Sequence, residues 1–254
     1  MLTRDEFARR FGRKAIIGMV HVGALPGAPR HGCSMRVVIE AALRDARALR
    51  DGGCDAMGFE NFGDRPFFKD GVPAVTVAAL TRVIVEVAAE VGLPFGVNVL
   101  RNDAASAIAI AAATGAAFIR VNVHTGAMLT DQGIIEGRAA ETMRERVALA
   151  PDVLIFADHM VKHAVPVVRM DDAQAAKDLR YRGLADAVIV SGAETGAEPD
   201  LLSFRTVREA LPDVPILIGS GLTVSNAGTF AAADGAIAGT SIKIDGRVEA
   251  PVDP

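Results

Sequence analysis

Cysteine is scarce: Cys33 and Cys54 stand in unrelated contexts without a C-x-x-C spacing. Neither a disulfide framework nor a cysteine-based zinc cluster is expected, and a reducing, cytoplasmic setting follows. Basic clusters are missing as well. The arginines are spread along the chain and the formal net charge is -4, so nucleic acid is not an expected partner. Long apolar runs are absent. The longest, AIAIAAATGAAF, is interrupted by Thr114 and Gly115 and is too short to span a bilayer; no integral membrane segment is expected, while peripheral association stays open. The opening MLTRDEFARRFGRK lacks the apolar core of a secretory leader. No charge block or low-complexity stretch marks a linker, so residues 1–254 read as a single domain with residues 1–14 as an N-terminal helical extension.

What the chain does contain is a recurring pattern. Short β-branched runs appear as AIIGMVH from Ala15, AMGFE from Ala56, PFGVNVL from Pro94, FIRVNV from Phe118, VLIFAD from Val153, AVIVSG from Ala187, PILIGSG from Pro215 and GAIAGT from Gly235. Continuous apolar runs of this length imply strands buried on both faces, as in a parallel sheet covered by helices. Helical patterns lie between them, clearest from Arg36, Val75 and Asp171, and Gly52, Gly92 and Gly183 read as glycine caps at their ends. Alternating strands and helices in this number predict an α/β fold, a (β/α)8 TIM barrel of the ribulose-phosphate-binding-like type. An open doubly wound sheet is the alternative, but no G-x-G-x-x-G follows the first run.

A barrel concentrates chemistry at the carboxyl ends of its strands. The last two runs end in Gly219-Ser220-Gly221 and Gly239-Thr240, with Ser241 and Lys243 close behind; the sixth ends in Ser191-Gly192, followed by Thr195 and Gly196. Glycines there let backbone N–H groups approach an anion, and the hydroxyls and Lys243 add donors and charge, so these loops are the expected phosphate site. The plainer account is that the glycines only permit tight turns. His21 closes the first run and suits acid/base work. Glu60 closes the second, with Asp64 beyond it; the pair suits acid/base chemistry or a divalent cation, although a salt bridge from Glu60 to Arg65 or Arg101 fits the same pattern. Asn98, Arg101, Asn122 and His124 follow as substrate contacts, with Arg120, Asn122 and His124 on one strand face by their spacing. A buried Arg120 requires a partner, and Glu60 is the one expected.

The fifth run leads into FADHMVKHAVP. Asp158 and Lys162 are candidate catalytic groups there, with His159 and His163 as substrate contacts. Lys162 suits imine formation or anion binding. The H-x-x-x-H spacing leaves a divalent metal (Mg, Mn or Zn) possible, with no cofactor certain.

IIGMVHVGALPGAP, GFENFGDRPF, GVNVLRNDA, FIRVNVHTGAMLTDQGIIEG, VKHA, SGAETG, PILIGSGLTVSN and GTSIK together resemble the BtpA family, which includes SgcQ-like bacterial proteins. The resemblance runs from about Ala15 to Val252. It implies a TIM barrel with a phosphate-binding end, and two functional associations: accumulation of photosystem I proteins at the thylakoid surface, and sugar uptake and metabolism. The leading expectation is a cytoplasmic enzyme acting on a small phosphorylated sugar or nucleoside-type metabolite, by lyase, isomerase or glycosidic-bond chemistry. The other is a non-catalytic assembly factor for photosystem I or another membrane complex. Thr130–Gly133 reads as a polar loop ahead of a helix starting near Ile134, suited to a lid. Met128, Leu129, Ile134 and Ile135 suit contact with a second subunit, and a homo-oligomer is expected.

Overall fold

In the computed structural model, residues 1–192 and 194–253 are described; Ala193, in the loop after the sixth apolar run, and Pro254, the last residue of the expected domain, lie outside them. Every one of the apolar runs is a strand, and the strands close on each other. They are β1 (Ala15–His21), β2 (Ala56–Glu60), β3 (Phe95–Asn98), β4 (Phe118–Val121), β7 (Leu154–His159), β9 (Ala187–Val190), β10 (Ile216–Ile218) and β11 (Gly235–Ala238). All neighbours pair in parallel, and β11 returns to β1 to complete a barrel. The remaining strands, β5 (Ala127–Thr130), β6 (Gly133–Glu136) and β8 (Ala164–Pro166), form a separate antiparallel sheet beside the mouth.

Helices α2 (Met35–Asp51), α3 (Ala74–Val91), α4 (Ala104–Thr114), α5 (Ala139–Leu149), α6 (Asp172–Lys177) and α7 (Leu201–Ala210) follow successive barrel strands through β9. Alternation then lapses. Between β10 and β11 the chain runs through turns, because Thr223 and Asn226 exchange side-chain bonds with each other's backbone amides and compete with a helix. After β11 only short 3-10 turns follow, Thr240–Ile242 and Ile244–Gly246.

Two of the expected glycine caps are displaced. Gly92 takes the left-handed φ of 74°, but Gly52 and Gly183 keep right-handed values of -76° and -82°. The reversal falls one residue later, at Gly53 (φ 83°) and Leu184 (φ 60°). Ahead of Gly183, α6 widens into a π turn over Asp178–Arg182. That turn buries Arg180, whose guanidinium donates to the carbonyls of Leu2 and Ala185.

The small sheet corrects a second expectation. Ile134–Glu136 is strand, not the start of a helix, and α5 begins only at Ala139. Gly133, at φ 93°, makes the tight reversal that pairs β5 with β6. Ile135 is buried and packs in this chain with Val123 and Val161, with Met128 beside them; Leu129 and Ile134 are the exposed members of the set.

Side chains inside the barrel are layered along its axis. Phe118 and Phe156 stack at 4.5 Å near the amino end, and α1 (Arg4–Phe11) inserts Phe7 and Phe11 against them, with centroids near 6 Å. Residues 4–11 therefore form the barrel floor. Gly96 makes room, since a Cβ there would lie 2.2 Å from the Phe118 ring. Ile17, Met19, Ile189, Leu217 and Ile237 belong to the same cluster. Alternation then brings His21, Glu60, Asn98, Arg120 and Asp158 inward at the carboxyl end. Among the described residues, no helix is long and apolar enough to cross a membrane.

Because Phe7 is fully buried in this floor, Phe7→Ala should destabilise the protein by about 3–5 kcal/mol. At roughly 2–4 °C per kcal/mol for a chain of this size, calorimetry should show Tm falling by about 10 °C; an unchanged Tm would mean α1 is a dispensable appendage.

Candidate active site at the carboxyl end of the barrel

The pleat determines which strand-end residues meet. Arg120 on β4 pairs in register with Phe156 on β7, so its long side chain leans toward Asp158, two residues further along β7 and on the same face. Its Nε and Nη2 donate to the two Asp158 oxygens at 3.0 and 2.8 Å. Asn122 Nδ2 adds a bond of 2.7 Å to Asp158 Oδ2, and Ser191 Oγ lies 3.5 Å from Oδ1. Arg120 thus pairs with Asp158, not with Glu60 as the sequence suggested. Asp158 is correspondingly unsuited to acid/base work, because both oxygens are occupied by donors in a buried bidentate pair.

Glu60 is held differently. Asn98 Nδ2 donates to Oε2 at 2.7 Å, and among the described residues neither Arg65 nor Arg101 makes a salt bridge to it. Arg65 instead reaches Glu249 and lies 4.6 Å over the Phe62 ring, whereas Arg101 donates to the Lys162 carbonyl. Asp64 is engaged away from Glu60: it accepts from the Leu25 amide and Asn61, bracing the loop after β2.

Two adjoining cavities open here. One, of about 230 Å³, is lined by His21, Glu60, Arg120, Lys162, Thr195 and Gly196, with Gly219–Thr223 and Gly239–Ser241 around its far side. The other, of about 330 Å³, shares Glu60, Arg120, Lys162 and Thr195 and adds Phe62, Arg101, Asn122, Asp131 and His163. A bond of 3.1 Å between His163 and Thr195 ties the loop after β7 to the loop after β9. Burial is the main cause that pushes the Lys162 amine down to about 8, with Arg120 and Arg101 adding to it and Glu60 and Asp158 opposing. His21 is neutral at physiological pH, since burial holds it down to about 4. Its ring stacks on Phe62 at 4.6 Å and its Nδ1 is buried without a partner.

Several expected site residues lie elsewhere. Lys243 is turned away and buried against Asp45 of α2 at 2.8 Å, so it adds no charge to the glycine loops where a phosphate was expected. His124 is bound through Nε2 to the Gly183 carbonyl at 2.8 Å; β4 ends at Val121, which breaks the alternation expected to aim it inward. His159 alternates away from Asp158 and stands 3.6 Å from Asp172, beside an apolar cavity of about 420 Å³ between the small sheet and α6. His159 and His163 are on a strand and a loop, not on one helix face. Among the described residues no cluster of three potential ligands is suited to a metal ion. Gly192 faces the backbone, where its missing side chain admits the Ala197 carbonyl. Gly221, at φ 71°, does the same from the other side.

Phe62 escaped the sequence reading, Arg65 was expected only as a salt-bridge partner of Glu60, and Asp131 only as part of a lid loop. The signal for Phe62 was present, an aromatic residue two positions beyond a strand-end carboxylate. That Asp131 in particular lines the cavity depends on the β5–β6 hairpin turning back toward the mouth.

Two stability predictions follow from this geometry. Asp158→Ala should cost about 3–5 kcal/mol by leaving Arg120 buried and unpaired, whereas Glu60→Gln, which keeps an acceptor for Asn98, should cost about 1 kcal/mol or less. Denaturant melts of the two variants compare them directly. Lys162 has its amine lowered in the folded chain from 10.5 to about 8; between those values the unfolded chain binds more protons, so this group makes stability rise with pH. Lys162→Met should therefore melt higher than the parent at pH 7, and the gap should narrow as pH rises from about 8 to 10.5. A pH-independent gap would contradict this.

Comparison with known proteins places the chain. The model of the BtpA family matches residues 12–254. The chain is 45% identical over 240 residues to the photosystem I biogenesis protein BtpA of Synechocystis, covering 94% of this chain and 84% of that protein. It is 35% identical over 237 residues to the putative sgc region protein SgcQ of Escherichia coli, covering 92% and 87%. Among solved structures, N-(5'-phosphoribosyl)anthranilate isomerase from Pyrococcus furiosus superposes with a TM-score of 0.55 at 12% identity, over 94% of this chain and 92% of that one.

Proposed function

The chain belongs to the BtpA family, and for this member we propose an enzyme that binds a small phosphorylated sugar or nucleoside-type metabolite and transforms it at the end remote from the phosphate. One observation carries the reading. The smaller cavity is lined by the Gly219 and Gly239 loops together with Thr240 and Ser241, whose hydroxyls make no hydrogen bond among the described residues, and its lining includes a single carboxylate, Glu60, and a single cation without an ion-pair partner, Lys162. Such a lining suits an anion held by N–H and O–H groups, with the Lys162 amine left for the rest of the molecule. The larger cavity receives the rest of the molecule, with Arg101, Asn122, Asp131 and His163 available to its hydroxyls. Glu60 stands on the wall shared by both, one oxygen tied to Asn98, and so is placed for proton transfer. Binding energy at the phosphate then positions the reacting carbons.

The name of the Synechocystis relative points to biogenesis of photosystem I. An assembly role alone gives no reason for an unpaired amine and a half-free carboxylate facing the same cavities, so the enzyme reading stands first.

Thermal-shift measurements test it, with ribose 5-phosphate, dihydroxyacetone phosphate and inorganic phosphate compared with ribose and dihydroxyacetone. A ligand at about 100 times its Kd adds about 2.7 kcal/mol, which is about 5–10 °C here. Phosphorylated compounds should stabilise and their unphosphorylated counterparts should not, and Thr240→Val should weaken the effect. Equal response to both sets, or to neither, counts against the phosphate site and favours the assembly reading.

A further inference from the structure

The chain has five lysines, Lys14, Lys69, Lys162, Lys177 and Lys243. Their surroundings differ sharply. Lys14 donates to the carbonyls of Ala231 and Ala233, and Lys243 is locked to Asp45. Lys69 and Lys177 are exposed. Lys162 alone is half-buried in a concave site, and among the described residues its amine makes no hydrogen bond and no ion pair. Its backbone is anchored, since the Lys162 carbonyl accepts from Arg101. The charges around it, Arg120, Glu60, Asp158 and Arg101, largely cancel. An amine held in a concave, nearly charge-balanced site and left without a partner is arranged to react, not to bridge.

We propose that Lys162 is the covalent nucleophile of the site, forming an imine with the carbonyl carbon of a phosphorylated aldehyde or ketone whose phosphate lies among the Gly219 and Gly239 loops. The proposal rests on the function inferred above and narrows it. The neutral amine adds its lone pair to the carbonyl carbon, and the C=O π pair moves to oxygen, which takes a proton. Loss of water from the carbinolamine leaves a protonated C=N bond. That cation stabilises negative charge at the neighbouring carbon, so a proton there can pass to the free Glu60 oxygen, or the bond from that carbon to a hydroxyl-bearing one can break as the hydroxyl proton passes to Glu60 and a carbonyl fragment leaves; in either case the enamine formed takes a proton back at carbon and regains the protonated C=N bond. Water then hydrolyses the imine and restores the amine. No oxidant or reductant is needed. The reaction class is accordingly a carbonyl isomerisation or carbon–carbon lyase, in place of glycosidic-bond hydrolysis.

The lowered basicity supports the same role. A shift from 10.5 to about 8 raises the ratio of neutral to protonated amine by about 300-fold. Weaker intrinsic nucleophilicity offsets part of this, leaving an expected rate excess of about tenfold or more over an exposed lysine.

The experiment treats the full chain at pH 7.5 with pyridoxal 5'-phosphate as a phosphorylated aldehyde reagent, reduces the imine with borohydride and maps the modified lysines by mass spectrometry. Lys162 should be labelled at least about tenfold faster than Lys69 or Lys177. Inorganic phosphate should protect it, pyridoxal without the phosphate should label it much more slowly, and dihydroxyacetone phosphate with borohydride should leave a reduced adduct at the same residue. Labelling spread over Lys69 and Lys177 without excess at Lys162, or a phosphate ligand that stabilises the protein while no carbonyl compound is trapped, overturns the imine and leaves the phosphate reading intact. Equal labelling of Lys162 by pyridoxal and its phosphate overturns the phosphate half instead. Lys162→Arg should abolish the adduct while keeping stabilisation by inorganic phosphate.

Discussion

The bidentate pair between Arg120 and Asp158 organises the mouth of this barrel. Two charges removed from water are tolerated only when their geometry is good and the remaining polar atoms are satisfied, and here Asn122 supplies the additional donor to Asp158. The consequence reaches beyond the pair. With Arg120 neutralised and Asp158 fully occupied, the charged groups left without an ion pair on the wall shared by the two cavities are Lys162 and Glu60. Pairing Arg120 with Glu60 would have produced the opposite division, an occupied Glu60 and a free Asp158 on another strand.

Along the barrel axis the interior changes character in step with what each level has to do. Four phenylalanines close the amino end, two of them brought by α1 from outside the barrel. Aliphatic side chains fill the middle. Polar residues appear only where alternation reaches the carboxyl end, next to open cavities in which part of their hydrogen bonding can be met by a ligand or by water. A rigid floor and middle hold the rim residues in a fixed register, which is what positioning of a small molecule requires.

Around that rim, packing between loops accounts for some features that resemble a binding motif. Gly192 and Gly221 admit the Ala197 carbonyl from two sides, so these glycines serve the contact between the loops after β9 and β10. Gly219 admits the Ser191 hydroxyl in the same way. The cavity is bounded by this clamped pair and by the loop after β11, while the hairpin of β5 and β6 brings Asp131 to its neighbour. Resemblance of fold to an isomerase at 12% identity carries no chemistry with it; the functional reading depends on the side chains that these contacts leave exposed to the cavities.

The apolar runs of the sequence by themselves determined the barrel strands, their order and the ends at which polar residues collect, because burial on both faces leaves a continuous signature in each run. They also brought Glu60, Asn98, Asn122, Lys162 and the glycine loops together as candidates. Partnership was decided only in three dimensions. Whether Arg120 meets Glu60 or Asp158 depends on strand register and on the lean of a long side chain, and neither is visible in spacing. The same holds for Lys243, whose run reads as a phosphate loop until α2 presents Asp45 to it. His124 looked inward by alternation, but alternation holds only while the strand lasts, and β4 stops at Val121. Local pattern depends on each segment's own burial; pairing depends on which segments, far apart in the chain, the closed barrel makes neighbours.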